Sequence, residues 1–274
     1  MKYLFLLLLV MGCGDAEFDR VEELKGFRVL GIVAATPEVA PGGASTLQLI
    51  VSDLSGGGRV ITGTTVSCVD PGIGLGASVS CDHDPTAVPG SYTIDTVNDP
   101  DLGAANLFTG LAAATLNVTV PAGIFTLTGS SSRQQFNGVG YITIFNFSVD
   151  GRSISAFKRI SATNRGSFNS NPTVNDLLVN GVAIAAKPDK GNKLKVATGA
   201  PETYNFTNVD GSIETRAEEF SVAWYVSFGE LDKPKALAEE DTEYLTDSPG
   251  STMVVMAIVR DDRGGVVLER SVLP

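Results

Sequence analysis

The sequence feature that most constrains the fold is the alternation of apolar residues along many short segments. In residues 220–228 (FSVAWYVSF), apolar side chains recur at every second position. A period of two is typical of a β-strand, whose successive side chains point to opposite faces. Similar short apolar segments, separated by glycine and proline, lie at residues 27–34, 46–51, 60–66, 115–120, 141–149, 153–160, 173–179, 193–198, 252–259 and 266–272. Helical periodicity is not convincing anywhere, although residues 216–219 and 235–243 could each hold a turn or two. The pattern predicts an all-β protein.

Two pairs of these segments are joined by turns rich in aspartate and glycine. Asp150-Gly151 separates two apolar runs, and this dipeptide favours a type I′ hairpin turn, which needs positive φ. Residues 261–265 (DDRGG) occupy the same place in the second pair. Each pair closes a stretch of domain size, and the polar residues 164–172 lie between the two stretches. We therefore expect two tandem antiparallel β-sandwich domains, residues 26–165 and 171–274.

The single tryptophan lies in the middle of the most regular strand segment. Trp224 in this position resembles the core tryptophan of immunoglobulin-like domains, so we expect it to anchor the second core. In true immunoglobulin domains this tryptophan packs against a disulfide between the sheets, but the second predicted domain contains no cysteine. The first predicted domain contains no tryptophan. The residues therefore indicate immunoglobulin-like sandwiches rather than true immunoglobulin domains.

The first residues, MKYLFLLLLVMGC, have the layout of an export signal. Lys2 precedes an apolar run at residues 4–10 that is too short to span a membrane as a helix. The four residues that end in Gly12-Cys13 (VMGC) resemble the bacterial lipobox, whose cysteine is acylated after the preceding segment is removed. This resemblance implies a lipoprotein signal peptide at residues 1–12, a lipid on Cys13 and a lipid-anchored tether at residues 13–25. The alternatives are an ordinary secretory signal with a chance cysteine, or a soluble protein with an apolar start.

The charge balance bears on the partners. The net charge is −11, and removing residues 1–12, whose only charge is Lys2, changes it to −12. So acidic a chain lacks the clustered lysine and arginine that bind nucleic acid, and we expect no nucleic-acid partner. An anionic membrane surface would not attract it either, so membrane contact would depend on the lipid on Cys13. No other apolar run approaches the roughly 20 residues of a membrane-spanning helix.

Three cysteines allow one internal pair if Cys13 carries lipid. Export to an oxidising compartment favours a disulfide between Cys68 and Cys81, which would staple a loop-rich segment at residues 68–100. The alternative is a metal site formed by both cysteines and His83. Zinc usually takes four ligands at closer spacing, such as Cys-x-x-Cys, so we expect the disulfide.

The remaining residues with potential chemistry form no complete motif. His83, the only histidine, could be a metal ligand or a general base, but one histidine cannot build a multi-histidine zinc site or a serine-histidine triad. Carboxylates that could bind calcium occur as Asp82 with Asp84 and as Asp261 with Asp262, although neither spacing matches an EF-hand loop. For the second pair we favour a turn role, with Arg263 solvated or paired locally.

Two further sets of side chains could form a binding or catalytic surface. The acidic run Glu239, Glu240, Asp241 and Glu243 could supply paired carboxylates, but such a run is usually a solvated face. The tyrosines Tyr92, Tyr204 and Tyr225 could belong to a surface that binds sugar or peptide. For Tyr225 we favour a role in covering the sheet or packing against the neighbouring domain. We expect no catalytic, cofactor-binding or metal-binding residues.

Four features together resemble uncharacterised lipoproteins of myxobacteria and their predatory relatives. They are the lipobox, residues 27–43 (FRVLGIVAATPEVAPGG), the cysteine pair and residues 259–267 (VRDDRGGVV). The resemblance implies a tandem immunoglobulin-like protein on the outer membrane and supplies no catalytic residues. Gly14 follows the cysteine, so the sorting rule of better-known bacteria does not favour retention at the inner membrane.

We expect a lipid-anchored cell-envelope protein that acts as a non-enzymatic interaction or structural module, with an envelope protein or a glycan as partner. A carbohydrate-binding or adhesion module, assisted by calcium, is the first alternative. A hydrolase with acidic catalytic residues is the second.

Overall fold

The computed structural model of the chain describes residues 22–24, 26–54, 56–72, 79–97 and 108–274. The predicted signal peptide, Cys13 and residues 14–21 of the predicted tether lie outside these residues. The first unit contains β1 (Arg28–Ala34), β2 (Glu38–Val39), β3 (Ala44–Asp53), β4 (Val60–Val69), β5 (Val88–Asp95), β6 (Phe108–Leu111), β7 (Leu116–Thr119), α1 (Ile124–Leu127), α2 (Ser132–Asn137), β8 (Val139–Val149) and β9 (Arg152–Ala162). The second unit contains β10 (Val174–Val179), β11 (Val182–Ala183), β12 (Lys193–Thr198), β13 (Thr203–Thr207), β14 (Ile213–Ala217), β15 (Ser221–Val226), β16 (Lys235–Leu237), β17 (Thr242–Glu243), β18 (Met253–Arg260) and β19 (Val266–Leu273).

The predicted all-β class is confirmed. In the described residues both helices are short, at four and six residues, and neither has the length or apolarity needed to cross a membrane.

The first unit is a sandwich of two sheets. One sheet has β3 at its centre, paired with β1, β6 and β7, and the other has the order β2-β9-β8-β4-β5. All these pairs are antiparallel except β2 with β9. Apolar side chains from the facing surfaces, such as Leu47, Leu49 and Phe145, fill the space between the sheets and are fully buried. Tyr92 is also part of this core rather than of an exposed binding surface, and its hydroxyl donates to the carbonyl oxygen of Ala114.

Both predicted hairpins are present. At the β8–β9 turn, Asp150 and Gly151 have φ values of 53° and 71°, as a type I′ turn requires. The register of β8 with β9 begins at Val149 opposite Arg152 and continues along eleven residue pairs. The β18–β19 hairpin closes at Arg260 opposite Val266, with residues 261–265 forming the turn.

The second unit contains two four-stranded antiparallel sheets and a separate ribbon. The sheets have the orders β11-β10-β12-β17 and β16-β15-β18-β19, and β13 pairs with β14 alone. Trp224 lies in the core between the sheets with 1% of its surface exposed, so its predicted role as a core anchor is confirmed. Phe228, which the alternation places on the same face, is instead 43% exposed.

A third apolar cluster, the inter-unit layer, lies between the two units. It consists of Leu24, Leu30, Ile50, Ala223, Tyr225, Met256, Ile258 and Val266. The outer surface of β1 and β3 therefore packs on the outer surface of β15 and β18. Seven consecutive residues of β18, and five of the six in β15, are buried as a result. The interpretation that Tyr225 packs against the neighbouring domain is confirmed.

Several local expectations are wrong. Residues 216–219 and 235–243 hold no helical turn, because their segments pair as strands β14, β16 and β17. The segment at residues 68–100 is less loop-rich than expected, because β5 pairs with β4 along eight residues. The sequence analysis missed helix α2, although Ser131 and Gln134 form a capping box that is visible in the sequence.

Cys68 and Cys81 form the predicted disulfide, with their Cα atoms 5.7 Å apart. The pair packs with Ile142 and Ile144 on the outer surface of the five-stranded sheet. Val79 and Ala87 cover the same apolar patch from the connection between β4 and β5, which the disulfide ties back to β4 and which we call the disulfide-bonded loop. The disulfide therefore holds a loop over side chains that would otherwise face solvent.

Replacing both cysteines, as Cys68→Ala with Cys81→Ala, should lower the free energy of unfolding by about 3 kcal/mol, since the link closes a short loop. The two residues are 13 positions apart in the sequence. Urea unfolding followed by the fluorescence of Trp224 measures the change. A reducing agent should lower the stability of the unsubstituted protein similarly and leave the double variant unchanged; equal stability of all samples would contradict the role of the disulfide.

Candidate functional site

A cleft of about 380 Å³ opens where the two units meet beside the β18–β19 turn. We call it the inter-unit cleft. Its lining comes from β2, α2, β9 and the segment after β9 in the first unit, and from β13 and the β18–β19 turn in the second. The lining residues are Glu38, Asn137, Arg159, Ser161, Arg165, Tyr204, Phe206, Asp261, Asp262, Arg263 and Gly264. Charged groups of both signs therefore converge at this junction.

Arg263 is the centre of the charged network. Its Nη2 donates to Glu38 Oε2, and its Nη1 lies 3.2 Å from Glu218 Oε1 and 3.5 Å from Glu202 Oε2. The side chains of Arg263, Glu38 and Glu218 are only 9%, 3% and 2% exposed. The expectation that Arg263 is solvated or paired locally is wrong, because β2 and the end of β14 fold over the turn and supply its carboxylate partners.

A second arginine approaches the same carboxylate from the segment between the units. Arg165 Nη1 lies 3.5 Å from Glu38 Oε1, and its Nε donates to the carbonyl oxygen of Phe136 at 2.8 Å. The ring of Tyr204 lies against both guanidinium groups, with centroid distances of 4.6 Å to Arg263 and 5.5 Å to Arg165. Tyr204 also donates its hydroxyl to Asp262 at 2.9 Å. Tyr204 is thus held in the junction by cation–π contacts and one hydrogen bond.

Asp261 organises the turn itself. Its Oδ1 accepts the backbone N–H of Arg263 at 2.9 Å and of Gly265 at 2.6 Å. Its Oδ2 accepts the side-chain amide of Asn169 at 3.1 Å. A Cβ atom at Gly265 would lie 2.1 Å from this carboxylate, so the turn requires glycine there. Both oxygens of Asp261 accept hydrogen bonds from the protein, which confirms its predicted role in the turn.

The segment between the units is fixed to both. Asn169 donates its backbone N–H to Glu38 Oε2 at 2.8 Å. Asn171 donates to the carbonyl oxygen of Ala34 at 2.8 Å and accepts the N–H of Val266 at 2.9 Å. The composition of residues 164–172 predicts a linker, but in the fold their polar side chains form specific hydrogen bonds across the junction.

Burial shifts two pKa values at the junction toward neutrality. Lys158, 7% exposed, donates its Nζ to the carbonyl oxygen of Gly264, and desolvation lowers its pKa to about 8. Desolvation raises the pKa of Glu218 to about 7, although the nearby Arg263 acts in the opposite direction. Burial therefore brings the pKa values of both groups closer to physiological pH than the ordinary pKa values of lysine and glutamate.

The network is not fully satisfied by hydrogen bonds. Glu38 Oε1, Asn169 Oδ1 and Arg263 Nε are buried and have no hydrogen-bond partner among the residues that the structure describes. Buried ion pairs gain little net stability because desolvation offsets their attraction, but removal of one partner is strongly destabilising. The arrangement thus favours one relative placement of the two units over alternatives in which these charges lose their partners.

The other candidate residues are not brought together. His83 is exposed in the disulfide-bonded loop, where its Nε2 lies 3.2 Å from the carbonyl oxygen of Val69. Asp84 binds Thr86, and this hydrogen bond, more than any other interaction, holds the pKa of the Asp84 carboxyl below its ordinary value. Glu239, Glu240 and Asp241 are exposed in the second unit. Among the described residues, no group of three or more histidine, cysteine, aspartate or glutamate side chains is arranged to hold a metal ion.

Glu38, Arg165 and Glu218 were missed by the sequence analysis. Each is a charged residue that belongs to no local sequence motif. Glu38 and Glu218 join the network because they pair with Arg263, and Arg165 joins it because it pairs with Glu38. The one sequence signal was Glu38, an isolated carboxylate within the motif FRVLGIVAATPEVAPGG.

Replacing Arg263 by methionine should lower the free energy of unfolding by about 3–5 kcal/mol, because the buried Glu218 loses its ion-pair partner and the buried Glu38 keeps only the longer contact with Arg165. Urea unfolding measures the loss. The matched control Arg152→Met changes an exposed arginine and should alter stability by no more than about 0.5 kcal/mol. Adding Glu38→Gln to Arg263→Met should recover part of the loss; equal costs for Arg263→Met and the control would refute the network.

Replacing Lys158 by methionine should remove a pH dependence of stability. The folded-state pKa of about 8 lies below the ordinary value of 10.5, so between these values the unfolded chain binds more protons. The stability of the unsubstituted protein should accordingly rise by about 2 kcal/mol from pH 7.5 to 9.5 relative to the variant. Parallel urea titrations at the two pH values measure it, and identical pH profiles would contradict the burial of a charged amine.

No protein-family model and no curated protein matches this chain. Among solved structures it is similar to red sea bream transglutaminase, with a TM-score of 0.29 and 9% identity over 92% of this chain and 32% of that one. It is also similar to the dimeric latent PorU of Porphyromonas gingivalis, with a TM-score of 0.24 and 8% identity over 92% and 24% of the two chains. For Escherichia coli alpha-2-macroglobulin activated by porcine elastase the TM-score is 0.22 and the identity 11%, over 90% and 23%. The chain spans less than a third of each of these proteins, and we draw no functional argument from similarities of this size.

Proposed function

We propose that this chain is a lipid-anchored protein of the outer membrane that acts as a non-enzymatic interaction or structural module of two immunoglobulin-like sandwich domains, residues 26–165 and 171–274. The observation that carries the proposal is the junction between the units. An apolar layer and a buried charge network fix two sandwiches to each other, and a rigid body of this kind suits the presentation of a surface at a fixed distance and angle.

The envelope location is supported by two independent features. The lipobox-like sequence ending at Cys13 follows an apolar run of signal-peptide length. The disulfide between Cys68 and Cys81 is of a kind that persists in oxidising compartments and is rare in the cytosol. Anchoring and export would place the disulfide-bonded unit where its link is stable.

Strand β5 supports an interaction role. It lies at the edge of the five-stranded sheet, and within the described residues no strand pairs with its outer side. Such an edge can accept a further strand from a partner, which forms main-chain hydrogen bonds along it. Pro89 lacks an N–H donor, and this limits how far a partner strand could pair.

The alternative functions have weaker support. A sugar-binding sheet usually presents several aromatic side chains, whereas the exposed part of the five-stranded sheet presents mostly hydroxyl and amide groups. They include Thr62, Thr64, Ser91, Thr93, Asn146, Ser148, Ser153 and Ser155, and Phe157 is an exposed aromatic side chain on this surface. A hydrolase with acidic residues needs two carboxylates facing each other across a cleft, and the buried carboxylates of the junction are instead paired with Arg263 and Arg165.

Cells given a fatty-acid probe should label the unsubstituted protein and not the Cys13→Ala variant, because only Cys13 follows the lipobox-like sequence. Gel fluorescence of the purified proteins measures the label. The unsubstituted protein should sediment with outer membranes, and the variant should be released from them.

Cys68→Ala with Cys81→Ala is the matched control, since it changes cysteines without touching the predicted lipid site and should keep the label. Label retained on Cys13→Ala would refute the anchor.

A further inference from the structure

The start of the described chain is attached to the body at a defined place. Leu24 donates its backbone N–H to the carbonyl oxygen of Val226 at 3.1 Å, and Val226 donates to that of Glu22 at 3.0 Å. Leu24 is only 2% exposed and belongs to the inter-unit layer. Residues 22–24, which the sequence assigns to the tether, therefore contact the second unit, and the chain before Glu22 is joined to the body at this point.

This point lies at one end of the first unit, which we call the anchor end. Phe27, three residues after Leu24, packs on Phe147 close to the β8–β9 turn, with ring centroids 5.8 Å apart. Arg59 joins Asp53 at the end of β3 to Asp150 in that turn, with contacts of 2.8 and 2.6 Å. The ends of β3 and β8 thus lie together near Phe27 and the start of β1, five residues after Glu22.

The disulfide-bonded loop lies at the opposite end, which we call the far end. Strand β4 runs from Val60, next to Arg59, to Cys68 and Val69. Cys68 lies eight positions after Val60, and at a rise of about 3.3 Å per residue this distance is about 26 Å. Val69 contacts His83, and His83 and Leu127 line a cleft of about 400 Å³ at this end. The loop and its cleft are separated from the anchor end by the full length of the sandwich.

The length of chain before Glu22 limits how the body can stand on a membrane. Cys13 precedes Glu22 by nine residues, which reach at most about 32 Å when fully extended. To turn the far end toward the membrane, this segment would have to run almost fully extended along the whole body. The opposite orientation needs no such extension, and it has more accessible chain conformations.

From this connectivity we infer that the anchor end faces the lipid surface and that the far end, with its disulfide-bonded loop and cleft, points away from it. The inference rests on the proposed lipid anchor at Cys13.

Energy transfer to a labelled membrane tests the orientation. Arg152→Cys places a dye at the anchor end and Leu127→Cys places one at the far end, both at exposed positions. In the lipidated protein Cys13 is blocked and Cys68 is bonded to Cys81, so the new thiol is the one that reacts. In vesicles with acceptor-labelled headgroups, transfer from position 152 should be at least about twofold more efficient than from position 127, because about 26 Å of strand separates the two ends.

Two controls separate the orientation from the anchor. A flexible Gly/Ser insertion of about 30 residues between residues 20 and 21 should abolish the difference, because it lets the body rotate freely. The same two variants, with a hexahistidine tag in place of residues 1–13, can be attached to vesicles that contain nickel-chelating lipid. If energy transfer differs twofold on these vesicles but no lipid is found on Cys13 in cells, the lipid anchor is refuted and the inferred orientation is still supported. Equal transfer from both positions, or stronger transfer from position 127, would overturn the inference.

Discussion

The structure depends most on the burial of both surfaces of the sheet that contains β15 and β18. One surface packs on Trp224's own core, and the other packs on β1 and β3 of the first unit. Burial of apolar surface contributes about 25 cal/mol per Å², so a layer of eight buried residues is a substantial part of the stability of the whole molecule. Sheets pack face to face about 10 Å apart. Because the two units pack through such sheet surfaces, their sheets form one stack with apolar layers between them.

The charged junction acts on this stack in a different way. The apolar layer favours contact between the units but is not directional, since hydrophobic burial depends on area rather than on angle. The ion pair between Arg263 of the second unit and Glu38 of the first supplies direction, because a shift of the units would separate these two buried charges. Asn169 and Asn171 add hydrogen bonds from the connecting segment to both units. These contacts explain why residues 164–172, which are rich in glycine, proline and polar residues, are fixed in the fold although their composition predicts a linker.

The sequence predicted the strands well where the signal was local. The period-two segments and the Asp150-Gly151 turn identified the β8–β9 hairpin, because the turn needs positive φ and the strands need alternating faces. Short strands such as β14 and β16 were missed because they contain too few residues for a period to be recognised, and they exist through pairing with distant segments. The candidate site was hardly predictable. Residues 261–265 were recognised as a turn, but the partners of Arg263 come from positions 38, 202 and 218, and no local pattern connects them.

The sequence by itself determined the all-β class, the two long hairpins, Trp224 as a core residue and the pairing of Cys68 with Cys81. These follow from alternation, turn chemistry and the small number of cysteines, all of which act over short stretches or by counting. Only the tertiary structure decided which strands are buried on both faces, which charged side chains are buried and where residues 22–24 attach. Those properties depend on the approach of two sheets that are remote in the chain, and burial changes the energy of a charged or apolar group only once its neighbours are in place.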